Sequence, residues 1–412
     1  MTVKKPELLL PAGNYEKMLS AFRFGADAVY LAGKSFGLRS SADNFTIDEL
    51  DDAIKYAHSL GKKVYITLNS TPRCHEFDDL EKYLRALDGI SPDAFIVASP
   101  GVMDLSKKIL PNVDIHLSTQ AGAVSAEDCN FWHRMGVTRV VLARELSFED
   151  IAAIRSKISP ELELETFIHG SMCVSWSGRC LLSKYMTGRD ANTGQCTQPC
   201  RWNFKVFEIE EEKRAGERYP VYQNDLGTFV LSSKDMCMIE HIPELVKSGV
   251  ASFKIEGRMK SAYYAAITAN AYRMAIDKYL EDSEGYVYDE RLLAELETVS
   301  HREYCTGYYF DEPSYENNTV TNMGYIREKA YLARVISYDK ETKRAYLFQR
   351  NKMVNGQIAE LATPGKFGIP FTVRNMTDKY GNPIDSAPHP LMEFYIESDI
   401  EMHEGDLIRG AE

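Results

Sequence analysis

FGADAVYLAG, residues 24–33, reads as a glycine just past a helix end, a short turn and an apolar strand. The same device returns at LGKKVYI (60–66), MGVTRVVL (135–142) and SGVASFKI (248–255). Glycine suits that position because the residue after a helix commonly adopts a left-handed backbone. A strand introduced this way again and again, between amphipathic helices, is the pattern of a parallel α/β fold. Working outward, the candidate strands are 7–12, 28–33, 63–69, 94–99, 114–119, 139–144, 164–170 and 252–257. Eight strands, seven intervening helices and a last helix over roughly 260–280 count out a (β/α)8 TIM-like barrel. The regular spacing, and the lack of a GxGxxG turn after the first strand, favour closure over an open doubly wound sheet.

The chain has 412 residues, enough for a large α/β domain and a smaller one. Hydrophobic residues at 44% and charged residues at 26% describe a globular enzyme and exclude a disordered or fibrous chain. No apolar run is long enough to span a bilayer, and the apolar part of MTVKKPELLLPAG is too short for a signal-peptide core, so a cytoplasmic protein is expected. A formal charge of −12 argues against nonspecific nucleic-acid binding by the whole surface but leaves room for a local basic patch.

Alternation within the strands predicts which side chains face inward. Glu163, Glu165, Phe167 and His169 share one face of the seventh strand; Ser252, Lys254 and Glu256 share one face of the eighth; His116 and Ser118 share one face of the fifth. Helices must cover the apolar faces, so these polar faces point into the barrel. One reading is a Lys–Glu network that only fixes packing; the other is a polar pocket at the C-terminal mouth, where barrel enzymes keep their sites. The strand-end residues Asn69, His116, Ser118, His169, Glu256 and Arg258 favour the second.

Between strands seven and eight, residues 171–235 form an insertion far longer than an ordinary βα loop. It carries Cys173, Cys180, Cys196 and Cys200, spaced C-x6-C-x15-C-x3-C. In a reducing compartment a tight thiol group reads as metal binding or redox chemistry rather than as disulfides. Four thiolates suit a structural zinc or an iron–sulfur cluster, and the loose spacing fits the cluster better, with zinc as the alternative. Cys237, in SSKDMC, is a rival fourth ligand, although its apolar neighbours equally suit a buried thiol. From His169 to Lys205 the net charge is +4, with Arg179, Lys184, Arg189, Arg201 and Lys205 among Trp176, Tyr185, Trp202 and Phe204. Arginine interleaved with aromatics suits an unstacked RNA base and its phosphates, or an aromatic dianion. The later stretch EIEEEKRAGERYP (208–220) reads as a charged hairpin tip or mobile loop.

The resulting division is a barrel over 1–281, a helical connector over 282–322 and a small antiparallel β-barrel domain over 323–412.

ETFIHGSMCVSWSGRCLLS (165–183) resembles the peptidase U32 family, fitting its E-x-F-x-x-G-[SA]-x-C-x(6)-C-x-x-S signature, and GQCTQPCRW, SSKDMC and FKIEGRMKS extend the likeness. Within that family, the length and the tandem of barrel and β domain are similar to the prephenate-dependent tRNA hydroxylase branch. The resemblance implies a 4Fe-4S cluster on Cys173, Cys180, Cys196 and Cys200, hydroxylation at C5 of a wobble uridine, prephenate as a required metabolite, and the tRNA anticodon region as partner. A competing reading is an RNA-binding subunit whose metal is purely structural and which acts with a paralogue. The resemblance also brings the family's older reading as a collagenase-type protease, for which HExxH and GxSxG motifs are missing. On this expectation Arg179, Lys254 and Arg258 pair the metabolite's carboxylates, and His116, His169 and Glu256 move protons. Asn69, Arg201 and Trp202 complete the substrate-binding set.

Overall fold

The computed structural model of the protein describes residues 5–39, 42–173, 175–202, 233–310, 326 and 328–411, plus the backbone of short strands at 209–210, 218–219, 222–224 and 227–229. By compactness the chain divides into two units. One comprises Met1–Met18, Asp27–Met259 and His301–Ile326; the other comprises Leu19–Ala26, Lys260–Ser300 and Arg327–Glu412. Compactness thus groups the last helix with the terminal β-structure, whereas the sequence division kept everything through 281 with the barrel.

In the first unit eight strands run parallel: β1 (Glu7–Pro11), β2 (Ala28–Leu31), β3 (Lys63–Leu68), β4 (Ala94–Val97), β5 (Asp114–Leu117), β6 (Arg139–Val141), β7 (Glu163–Ser171) and β8 (Ser252–Ile255). β8 pairs with both β7 and β1, so the sheet closes on itself as expected. The crossovers carry α1 (Tyr15–Arg23), α2 (Ile47–Ser59), α3 (Phe77–Ala86), α4 (Pro100–Ile109), α5 (Ala126–Arg134) and α6 (Phe148–Lys157). The glycines that announced the strands have the predicted left-handed backbone, Gly61 at φ 67° and Gly249 at φ 74°. Thr46 and Ser147 open α2 and α6 with capping boxes, each hydroxyl accepting from the N–H three residues on.

The barrel interior is mixed. Leu9, Ala28, Tyr30, Tyr65, Ala94 and Ile96 form an apolar cluster. Beside it, Arg139 reaches Glu7 (2.6 Å), Glu163 (2.6 Å) and Glu165 (3.2 Å), while Lys254 holds the other oxygen of Glu165 at 2.7 Å. The packing network foreseen as the bland alternative exists, in the layer below the mouth.

The insertion contains α7 (Leu182–Thr187), and its return strand Asp235–Cys237 pairs antiparallel with the far end of β7, Ser171 opposite Asp235. Of the stretch read as a hairpin tip, Ile209 and Glu210 pair antiparallel with Tyr219 and Arg218; 211–217 lie outside the described residues. Then follow α8 (Ile242–Lys247), β8 and, in the second unit, α9 (Ala262–Glu281) and α10 (Arg291–Glu297).

The second unit also holds a seven-stranded antiparallel sheet built from β9 (Tyr331–Asp339), β10 (Arg344–Gln349), β11 (Ile358–Ala362), β12 (Ile369–Thr372), β13 (Arg374–Asp378), β14 (Glu393–Glu397) and β15 (Leu407–Gly410), in spatial order β12-β11-β15-β9-β10-β14-β13. The small antiparallel β domain expected from the sequence takes the form of a half-barrel sheet. β12 and β13 end the order without pairing to each other among the described residues. Pro370, which lacks an N–H to donate, suits β12 to an edge. Alternate residues of β10 and β14, among them Ala345, Leu347, Phe394 and Ile396, bury the concave core.

Candidate active site at the barrel mouth

Strand ends and insertion meet at a cavity of about 140 Å³ in the first unit. Its floor comes from the barrel: Tyr30 on β2, Thr67 and Asn69 at the end of β3, Ser118 after β5, Arg144 after β6, Phe167 on β7, and Lys254, Glu256 and Arg258 on and after β8. Its outer wall comes from the insertion, including Cys173, Cys180, Cys196, Cys200 and Arg201. The alternation of the strands therefore delivers polar side chains to the C-terminal mouth, as the sequence predicts.

The cysteines converge on this wall although they are distant in sequence. Burial pushes the Cys200 thiol up, and the neighbouring thiols of Cys173 and Cys196 add to the shift against the Arg201 charge. None of the four is in a disulfide. Two backbone donors address sulfur: Leu182 N–H to Cys180 Sγ at 3.3 Å and Gln198 N–H to Cys196 Sγ at 3.4 Å. Backbone N–H groups aimed at sulfur are the surroundings that thiolate-held iron–sulfur clusters use, so the donor set fits such a group. No three His, Cys, Asp or Glu among the described residues are gathered as tightly as a lone metal ion requires. Cys237, the rival ligand, is buried on the return strand opposite His169 in the ladder and does not line the cavity.

The insertion is tied down at the mouth. Ser177, held at φ 43°, gives its N–H (2.6 Å) and its hydroxyl (2.7 Å) to the Glu145 carboxylate. Thr71 N–H donates to the Asn192 carbonyl at 3.1 Å. Arg201 donates to Gln198 Oε1 at 2.8 Å and to the Met172 carbonyl at 3.4 Å. A buried ion pair, Arg302 with Asp235 at 2.6 Å, holds the return strand.

The other predicted site residues divide. Glu256 lines the cavity with Arg39 at 3.9 Å and Arg144 at 4.0 Å, and Tyr30 donates to it at 3.1 Å. Burial pushes its carboxyl up, but Arg39, Arg144 and Arg258 outweigh that and hold it below the usual range, as a carboxylate. Arg258, also in the cavity, gives one nitrogen to Thr67 Oγ1 at 2.9 Å. Asn69 lines the cavity and accepts from Leu38 N–H at 3.1 Å. Lys254 lines it too, but its ammonium is committed to Glu165.

Four predictions fall elsewhere. His116 faces the barrel interior one layer lower, its ring edge-on to Tyr65 at 4.6 Å, outside the cavity lining. His169 is turned away from the mouth. In the β7–β8 ladder Lys254 pairs with Phe167 and Ile255 with His169, so Ile168 is skipped. That bulge reverses the alternation after Phe167, and the His169 ring lies against Tyr304 at 5.4 Å. Arg179 is exposed and lines a separate depression with Arg73 and Ser99. Trp202 is 38% exposed and donates its indole N–H to the Thr197 carbonyl. Sequence reasoning missed Arg144 and Arg39. Arg144 ends the strand run RVVLAR, so the strand-end rule applied elsewhere would have found it; Arg39 sits in an aperiodic loop that offers no signal.

The chain matches the peptidase family U32 description over residues 13–319, and that family's C-terminal domain over 327–409. It is 37% identical to tRNA hydroxylation protein P1 of Bacillus subtilis, covering 98% of this chain and 95% of that one. It is 36% identical to tRNA hydroxylation protein P of Escherichia coli, covering 93% and 92%. A third relative, the 23S rRNA 5-hydroxycytidine C2501 synthase of Escherichia coli, is 34% identical over 67% of this chain and 40% of its own length.

Proposed function

The chain belongs to peptidase family U32, and from that membership we propose that it is a tRNA-modifying enzyme that hydroxylates C5 of a wobble uridine presented to the barrel mouth. The observation that carries this reading is the convergence of four sequence-distant cysteines and the polar ends of the barrel strands on one cavity. Near-full-length likeness to proteins named for tRNA hydroxylation, and likeness over 67% of this chain to one named for making 5-hydroxycytidine, supports oxidation of a pyrimidine ring.

Cys173, Cys180, Cys196 and Cys200 would hold a 4Fe-4S cluster, which supplies electron transfer when bound. The chain's own residues bind and orient. Trp176 and Tyr185, 56% and 90% exposed beside the cysteines, offer faces on which unpaired bases stack. Arg179, Lys184 and Arg189 bring charge for phosphates to the same stretch of an otherwise acidic chain. Prephenate, the small acid of the proposed reaction, would take the cationic floor of the cavity. Glu256, kept ionised, steadies Arg39 and Arg144 there. The peptidase alternative fares worse: among the described residues no histidine lines the cavity, so no Cys–His pair is assembled there for acyl transfer.

Two measurements test the reading. Anaerobically purified protein should contain iron and sulfide, and Cys173→Ser, Cys180→Ser, Cys196→Ser or Cys200→Ser should each lower the content while Cys237→Ser does not. Mass analysis of tRNA from a strain lacking this gene and any paralogue should show loss of hydroxyuridine, restored by the wild-type gene. A zinc-loaded, iron-free protein or unchanged hydroxyuridine would refute the proposal.

A further inference from the structure

Among the described residues, the barrel side of the cavity carries more positive charge than its carboxylates neutralise. Among the described residues lining it are five cations, Arg39, Arg144, Arg201, Lys254 and Arg258, and one carboxylate, Glu256. Two of the cations are accounted for. Lys254 is neutralised from below by Glu165 at 2.7 Å, and Arg201 is bonded to Gln198 and the Met172 carbonyl on the cysteine wall. Among the described lining residues, Arg39, Arg144 and Arg258 remain around the one carboxylate of Glu256, an excess of two charges.

Arg258 marks where the missing charge belongs. It is 3% exposed, and its Nε and Nη2 have no hydrogen-bond partner among the described residues; only one nitrogen is used, on Thr67. Burial pulls its pKa down to about 10, which still leaves it protonated near neutrality. Arg144 has a similarly orphaned Nε, with Nη1 on the Ser171 carbonyl at 2.8 Å and its plane over the Phe167 ring at 3.8 Å. Buried guanidinium nitrogens left unpaired are costly, and an arginine fork is shaped for the two oxygens of a carboxylate.

We infer that the cavity floor is a binding site for a small dianion carrying two carboxylates, one taken by the open edge of Arg258 and the other by Arg144 with Arg39. Glu256 is then a clamp between the arginines, and Lys254 and Arg179 are not carboxylate ligands. The inference deepens the hydroxylation reading by giving its small acid a set of residues, and its evidence does not depend on that reading.

The test uses full-length protein purified anaerobically, titrated calorimetrically and by thermal shift with prephenate, malonate and acetate. The dicarboxylates should bind and raise the melting temperature, with acetate much weaker. Arg258→Met should weaken dicarboxylate binding about tenfold to a hundredfold, as loss of a charge-assisted hydrogen-bond pair implies. Arg258→Lys, which keeps the charge without the fork, should recover part of it. Arg144→Gln should weaken dicarboxylates more than acetate, while Arg179→Gln should change neither. Malonate binding without prephenate binding would uphold the site and overturn the prephenate assignment. Dicarboxylates binding no better than acetate, or unchanged affinity in folded Arg258→Lys and Arg144→Gln, would overturn the inference.

Discussion

At His116 burial and charge act in the same direction. Burial, then the positive charges of Arg139 and Lys254, hold its imidazole well below the ordinary 6.5, neutral among cations. The unfolded chain takes up that proton below about 6.5 and the folded chain does not, so stability from this residue falls as pH drops through that value. Glu7 and Glu256, whose folded pKa values lie below the ordinary 4.5, lose their contributions only at lower pH. The urea midpoint of the wild type should therefore decline between about pH 7 and about pH 5.5, and His116→Gln should flatten that slope whatever it does to absolute stability. The Arg302–Asp235 pair, 1% and 3% exposed, makes a second prediction. Asp235→Ala strands a buried guanidinium and should cost about 3–5 kcal/mol in chemical denaturation. Individual inward-facing residues such as Thr67, Asn69 and Glu256 were legible in the sequence, since strand alternation alone places them. His169 was not, because one skipped residue inverts the alternation and nothing in ETFIHG announces a bulge.

Among elements, the segment carrying Ser177 is the most dependent on a single side chain. Its left-handed backbone at a residue with a Cβ is unfavourable locally, and the two hydrogen bonds that Ser177 donates to Glu145 offset it. Glu145→Ala leaves a buried N–H and hydroxyl without their acceptor. Amide exchange over 175–185 should accelerate, corresponding to about 2 kcal/mol of lost protection, with exchange in β1–β5 unchanged. The eight strands and their helices could be read because helix-end glycines, capping residues and apolar runs agree. α9 shows where that reading stops. Fourteen of its 20 residues are buried, and a helix apolar on nearly all sides says that it is enclosed without saying which core encloses it.

Over the whole molecule, the second unit turns on Arg409. Its side chain, 2% exposed, joins Glu295 on α10 to Glu360 on β11, each at 2.7 Å. Arg409→Met leaves Glu295 without this cation, while Glu360 keeps Lys329 at 2.7 Å. It should cost about 3–5 kcal/mol within this unit, seen as a separate low-temperature transition in calorimetry. That the chain holds a barrel and a β unit was evident from the change in period near residue 323. That residues 260–300 group with the latter was not, because ion pairs across a hundred positions leave no local pattern. The insertion leaves the barrel at Ser171 and comes back at Asp235, and these two residues sit opposite each other in one ladder. Departure and return thus share a single anchor, so chain added, trimmed or swapped between them leaves the eight-strand closure untouched. The thiol-bearing segment is in effect an exchangeable cassette, free to diversify toward new RNA targets on a scaffold that need not change.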